Sequence, residues 1–247
     1  MNPSPPHLGV ILGNRDFFPD KLVAEARADL TKLLAELGLA PVWLTPDDSK
    51  LGGVETHNDA RKCADLFRRH RDQINGVLVC LPNFGDEKGV ADTLKLAGLN
   101  VPVLVQGYPD DLDKLDVARR RDSFCGKISV CNNLRQAGIA YTLTTKHVVH
   151  PLDASFRGDV QRFVAVCRVV QGLRRARLGA VGARPGAFNT VRYSEKILER
   201  VIGQREAPSP GPGAGRLADF GGRDAVDPQS HVALFGSDSA TLSFFQG

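Results

Sequence analysis

The sequence predicts an α/β protein built on a parallel sheet with helices wound on both faces. Short apolar runs of strand length alternate with amphipathic helical stretches from residue 8 to residue 202. The connections between runs are long enough for crossovers rather than hairpins, so successive strands should lie parallel. The composition supports a packed core, with 42% apolar and 24% charged residues in 247. A chain of this length can hold one large α/β domain or two small ones.

Residues 8–12 form a short apolar run, read as a buried first strand. A loop follows, and Pro19 opens a helix carrying Leu22, Ala26, Leu30, Leu33 and Leu37 on one face. Gly38 ends that helix, and residues 41–45 are the second strand. Asn58 is the expected cap of a helix with Cys63, Leu66 and Phe67 on one side. The third strand is expected at 76–81, a helix at 86–96 stopped by Gly98, and the fourth strand at 101–105. A helix at 122–136, closed by Gly138, precedes a fifth strand at 139–143. Five strands so connected make a flavodoxin-like, doubly wound domain over residues 7–150.

After His150-Pro151 a second α/β domain is expected to begin, spanning 151–203. It has a helix from about residue 156 to 175, a strand at 178–181, and a helix capped by Asn189 or Thr190. A single strand cannot make a sheet, so this domain reads as incomplete. From 204 to 247 the Pro, Gly, Ser and Ala content and the lack of period predict a disordered tail. Its only apolar patches, Leu234-Phe235 and residues 242–245, look too short to complete a sheet.

Several function classes are disfavoured. The formal charge of +4 is mild, and the short basic runs end helical patterns, where they complement the helix dipole. No aromatics interleave with them, so no nucleic-acid partner is expected. Five scattered cysteines form no disulfide or metal framework, which suggests reduced thiols. With no signal core and no membrane-length apolar run, a soluble cytoplasmic protein with no membrane partner is expected. The glycines of 179–186 have the wrong spacing for a phosphate loop. His147 and His150 read as linker residues, and Asp47-Asp48 and Asp110-Asp111 as turn formers.

In a doubly wound fold, ligands bind beyond the carboxyl ends of the strands where their order reverses. Here that crevice is lined by two loops, one with Asn14 and Arg15, the other with Asn83, Phe84, Asp86 and Glu87. Both offer groups that can hydrogen-bond hydroxyls, with an aromatic alongside. Asp86 and Glu87 also suit the amino end of the next helix, and the two roles are compatible.

Three segments carry a resemblance. They are N-F-G-D-E at 83–87, G-K-I-S-V-C-N-N at 126–133, and above all R-P-G-A-F-N-T-V-R-Y-S-E-K at 184–196. Over residues 7–202 the chain resembles the L-fucose/L-arabinose isomerase family, most closely its fucose-isomerase-like branch. The resemblance implies two amino-terminal α/β domains, a carboxy-terminal domain, and aldose–ketose isomerisation with manganese or another divalent metal. The family's metal ligands and catalytic carboxylates come from later segments with no matching positions here. No catalytic residue or metal ligand is therefore assigned, and no cofactor is expected on this chain alone. The chain is expected to be a truncated, inactive family member, or alternatively a non-catalytic sugar-binding or oligomer-modulating module. Its expected partners are a small sugar and either a second copy of itself or a full-length homologue. By the same resemblance, Asn83, Phe84, Asp86 and Glu87 face sugar, and Arg184, Phe188, Asn189 and Arg192 line a site or a domain junction.

Overall fold

A computed structural model describes residues 6–175, 177–181, 194, 196–197, 231–235 and 241–242. Strands β1 (His7–Leu12), β2 (Ala40–Val42), β3 (Ile74–Leu81), β4 (Val103–Gly107) and β5 (Thr142–Leu143) form one sheet. Their order is β2-β1-β3-β4-β5 and every pairing is parallel. This is the flavodoxin-like order, in which the progression of strands along the sheet reverses at β1 and β3.

Successive side chains on each strand point to opposite faces, and the sequence uses both faces. Leu8, Val10, Leu12, Leu78, Cys80 and Leu104 turn to one side, where they meet α1 (Lys21–Glu36) and α5 (Ala154–Arg175). Ile11, Val77, Val79, Leu81, Val103 and Val105 turn to the other. There they meet α2 (His57–Arg69), α3 (Glu87–Ala97) and α4 (Ser123–Gln136). Two strand glycines let helices come close: a Cβ on Gly9 would lie 2.9 Å from the Phe67 ring, and one on Gly76 2.5 Å from Cys167 Sγ.

Local chemistry sets the helix ends. The cap of α2 is Thr56, not Asn58. Thr56 Oγ1 accepts from the Asp59 amide while the Asp59 carboxylate accepts from the Thr56 amide, a reciprocal capping box. The glycine stops sit where the sequence places them, with φ of 64° at Gly38, 58° at Gly98 and 70° at Gly138. Strand β5 is shorter than its apolar run suggests. Only Thr142 and Leu143 reach register with β4, while Ile139 packs under the α4 side of the sheet.

Helix α5 falls in the domain expected to start at 151, but it packs on the first sheet. Phe156, Val160, Phe163, Val164 and Cys167 are buried with the α1 residues, and the first compact unit runs from Met1 to Arg168. The reason is physical: without α5, half of that apolar sheet face would meet water.

The second unit spans Val169–Gly247. Strand β6 (Arg177–Val181), the anticipated lone strand, pairs antiparallel with β7 (His231–Phe235), and β7 pairs with β8 (Thr241–Leu242). The apolar patches at Leu234-Phe235 and Leu242 are therefore parts of strands. The rest of the expected tail, and nearly all of the helix expected after Asn189, lie outside the described residues. All five cysteines are free, four of them buried. Among the described residues no helix is long and apolar enough to cross a membrane.

Candidate functional site

The loops after β1 and β3 leave the sheet side by side, where strand order reverses. Beneath them lies a row of hydrogen bonds. The Gly85 amide donates to Asn83 Oδ1 at 3.0 Å, and Asn83 Nδ2 donates to Asn14 Oδ1 at 2.6 Å. Asn14 Nδ2 then donates to Glu55 Oε2 at 2.7 Å. Asn14 and Asn83 are buried, so they floor the crevice rather than line its mouth. Glu55 reaches them because the segment before α2 runs alongside the end of β1, with a parallel bridge from Val54 to Gly13.

Above this floor is a partly open rim. Arg15 Nε donates to the Gly85 carbonyl at 3.1 Å, and its guanidinium lies 4.6 Å above the Phe84 ring. The same guanidinium stands 3.5 Å from Glu87 and 4.0 Å from Asp86. These three side chains are 27–28% exposed. Asp86 also caps α3, accepting from the Gly89 amide at 2.6 Å, which is the helix-end role the sequence allows.

Helix α4 closes one side. Ser129 Oγ donates to Glu87, and Gly126 packs directly against the Phe84 backbone. The segments 83–87 and 126–133, distant in sequence, are thus one contact. Lys127, next to Gly126, is fully buried and donates to Thr144 Oγ1 at 2.6 Å and to the His147 carbonyl at 2.7 Å. Burial pushes its ammonium down from 10.5 to about 8, partly opposed by Cys131 and Asp159.

That shift fixes a sign. Between about 8 and 10.5 the unfolded chain keeps the Lys127 proton while the folded chain has released it, so stability rises with pH across that window. Below it both states are charged and the cost of burying the charge is constant. Urea melts of the wild type and of Lys127→Met at pH 7.5 and 9.5 should show the wild type gaining on the variant at the higher pH. A constant difference would mean that Lys127 is not titrating in the interior.

The two linker histidines are engaged locally. His147 Nε2 lies 3.1 Å from the Phe124 carbonyl, and His150 Nε2 lies 3.3 Å from Asp29. Among the described residues no group of three or more His, Cys, Asp or Glu side chains is placed to hold a metal ion. Arg184, Phe188, Asn189 and Arg192 lie outside the described residues. Sequence reasoning did not single out Glu55, Ser129 or Lys127. The last two sit inside a segment already noted, whereas Glu55 carries no local signal, since its partner is 41 residues away.

The profile of one protein family, described as fucose/sulfoquinovose isomerase, N-terminal domain, matches residues 9–174. The chain belongs to this family. The matched span begins in β1 and ends in the last turn of α5, so it takes in both crevice loops, α4 and all of the five-stranded sheet but the first two residues of β1. It stops before the segment 184–196, which carries most of the resemblance seen in sequence. No curated protein matches the chain.

Proposed function

We propose that this chain supplies a sugar-recognition surface of an aldose–ketose isomerase and does not turn over sugar by itself. The observation that carries this reading is the rim formed by Arg15, Phe84, Asp86 and Glu87. It lies at the carboxyl ends of β1 and β3, within the span matched to the family's amino-terminal domain. Carboxylates and a guanidinium suit vicinal hydroxyls, because each can serve two hydrogen bonds at once. Asn14 and Asn83 support the rim from below and hold it in one arrangement.

Moving a proton between adjacent sugar carbons calls for a cation to polarise two oxygens and a base to carry the proton. The rim does not fit such a cation. Its two carboxylates already face Arg15, and the described residues bring no third His, Cys, Asp or Glu side chain to them. The chemistry therefore falls to groups other than these.

Calorimetric titration of the full chain with L-fucose should show saturable binding that weakens at least about tenfold in Arg15→Ala. With manganese present, no ketose should form. Manganese-dependent conversion by this chain alone would overturn the reading that it lacks turnover. Affinity unchanged in Arg15→Ala would remove the rim from recognition.

A further inference from the structure

Where the parallel ladder runs out at the end of β3, one carbonyl is left to find a partner elsewhere. The last ladder bond between β3 and β4 is made by the Tyr108 amide, which donates to the Leu81 carbonyl at 3.1 Å. Pro82 comes next, buried and beyond the ladder, and it directly precedes Asn83 of the crevice floor. Its carbonyl accepts from Arg121 Nη1 at 3.0 Å. A buried carbonyl deprived of its donor is costly, and the chain around it moves to relieve that cost.

Arg121 is itself held by several partners. Its amide donates to Asp110 Oδ1 at 2.9 Å, which fixes its backbone, and Nη2 pairs with Glu25 of α1 at 2.7 Å. The side chain is only 17% exposed, and its guanidinium lies 4.6 Å from the centre of the Tyr108 ring. That ring is buried and braced in turn. Its hydroxyl donates to Asp29 at 2.9 Å, and the His150 ring stands nearly perpendicular to it at 5.2 Å. The rigid fork of a guanidinium can serve Glu25 and the Pro82 carbonyl at once, which a single ammonium cannot. The crevice floor is thus tied to α1, a helix that gives the rim no side chain.

We propose that Arg121 is a positioning residue of the crevice. By holding the Pro82 carbonyl it sets where Asn83 enters its row of hydrogen bonds, and through Asn83 the turn at Gly85 to which Arg15 donates. The consequence for sugar rests on the sugar-recognition reading, and the consequence for the turn does not. Arg121→Met in the full chain tests both, since it fills the space without either donor. In nitrogen–proton correlation spectra the Asn83 side-chain amide and the Gly85 backbone amide should shift. The Gly98 amide, at the far end of α3, should stay in place, which a general loosening of the fold would not allow. Affinity for L-fucose, measured well below the melting temperature, should fall at least about tenfold. Arg121→Lys can keep the pair with Glu25 but not hold Pro82 as well, so the same two resonances should shift in it. It carries the test if Arg121→Met does not fold. Asn83 and Gly85 resonances at their wild-type positions in a folded variant would overturn the proposal, as would wild-type affinity. If the wild type itself binds no L-fucose, the sugar-recognition reading fails, and the two resonances still decide whether Arg121 positions the turn.

Discussion

A variant ending at residue 150 should fail to fold cooperatively, whereas one ending at residue 175 should fold. The shorter variant keeps all five parallel strands but loses Phe156, Val160, Phe163, Val164 and Cys167 from the face they share with α1. Burying a large apolar side chain contributes about 1.5–3 kcal/mol, so these five together supply on the order of 8–15 kcal/mol. Whole domains are stable by only about 5–15 kcal/mol, which leaves the shorter variant little or nothing. It also loses the Asp159 carboxylate that holds Thr145, whose amide and hydroxyl donate to it at 2.9 and 2.6 Å. Urea melts followed by circular dichroism separate the outcomes. If the 150-residue variant unfolds with the midpoint of the longer one, α5 belongs to whatever follows rather than to the first unit.

Gly126→Ala should destabilise the fold by about 1–3 kcal/mol or more, the range for overpacking. A Cβ at this position would lie 1.9 Å from the Phe84 carbonyl oxygen and 2.6 Å from its Cα. Those are backbone atoms, not the movable end of a side chain. Helix propensity pushes the other way, favouring Ala over Gly by about 1 kcal/mol, and is the smaller effect. Gly158 in α5 supplies the control, because a Cβ there has nothing within 4 Å. The same substitution at 158 should raise stability by up to about 1 kcal/mol. Thermal melts of the two variants should move in opposite directions. A Gly126→Ala protein as stable as wild type would show that α4 and the loop after β3 do not meet closely.

The parts of the fold written in local patterns were legible in the sequence. Strand-length apolar runs, the helical face of α1 and the stops at Gly38, Gly98 and Gly138 each depend on residues within a few positions of one another. The matched family follows the resemblance read from the sequence, though the match rests on residues 9–174 and does not include the segment that weighed most. What stayed hidden depends on partners far along the chain. A helix after His150-Pro151 looks like a beginning, and nothing local says that it folds back onto an earlier sheet. β6 finds its partner 50 to 58 residues later, at an apolar patch that looks too short for a sheet when read alone. Asn83 is polar and lies in a loop, so it reads as a ligand contact. Only the position of Asn14 shows that its amide is already occupied.

The row from Gly85 through Asn83 and Asn14 to Glu55 has a direction. Every donor points the same way, and the row ends on a group that can only accept. An asparagine amide can turn over and exchange its donor with its acceptor, so two in series could run either way. Both ends of this row forbid the reversal, because the Gly85 amide can only donate and the Glu55 carboxylate can only accept. Turned over, the row would set donor against donor at Gly85 and acceptor against acceptor at Glu55. The two ends together select a single row, and with it the one setting of the Gly85 turn on which Arg15 rests.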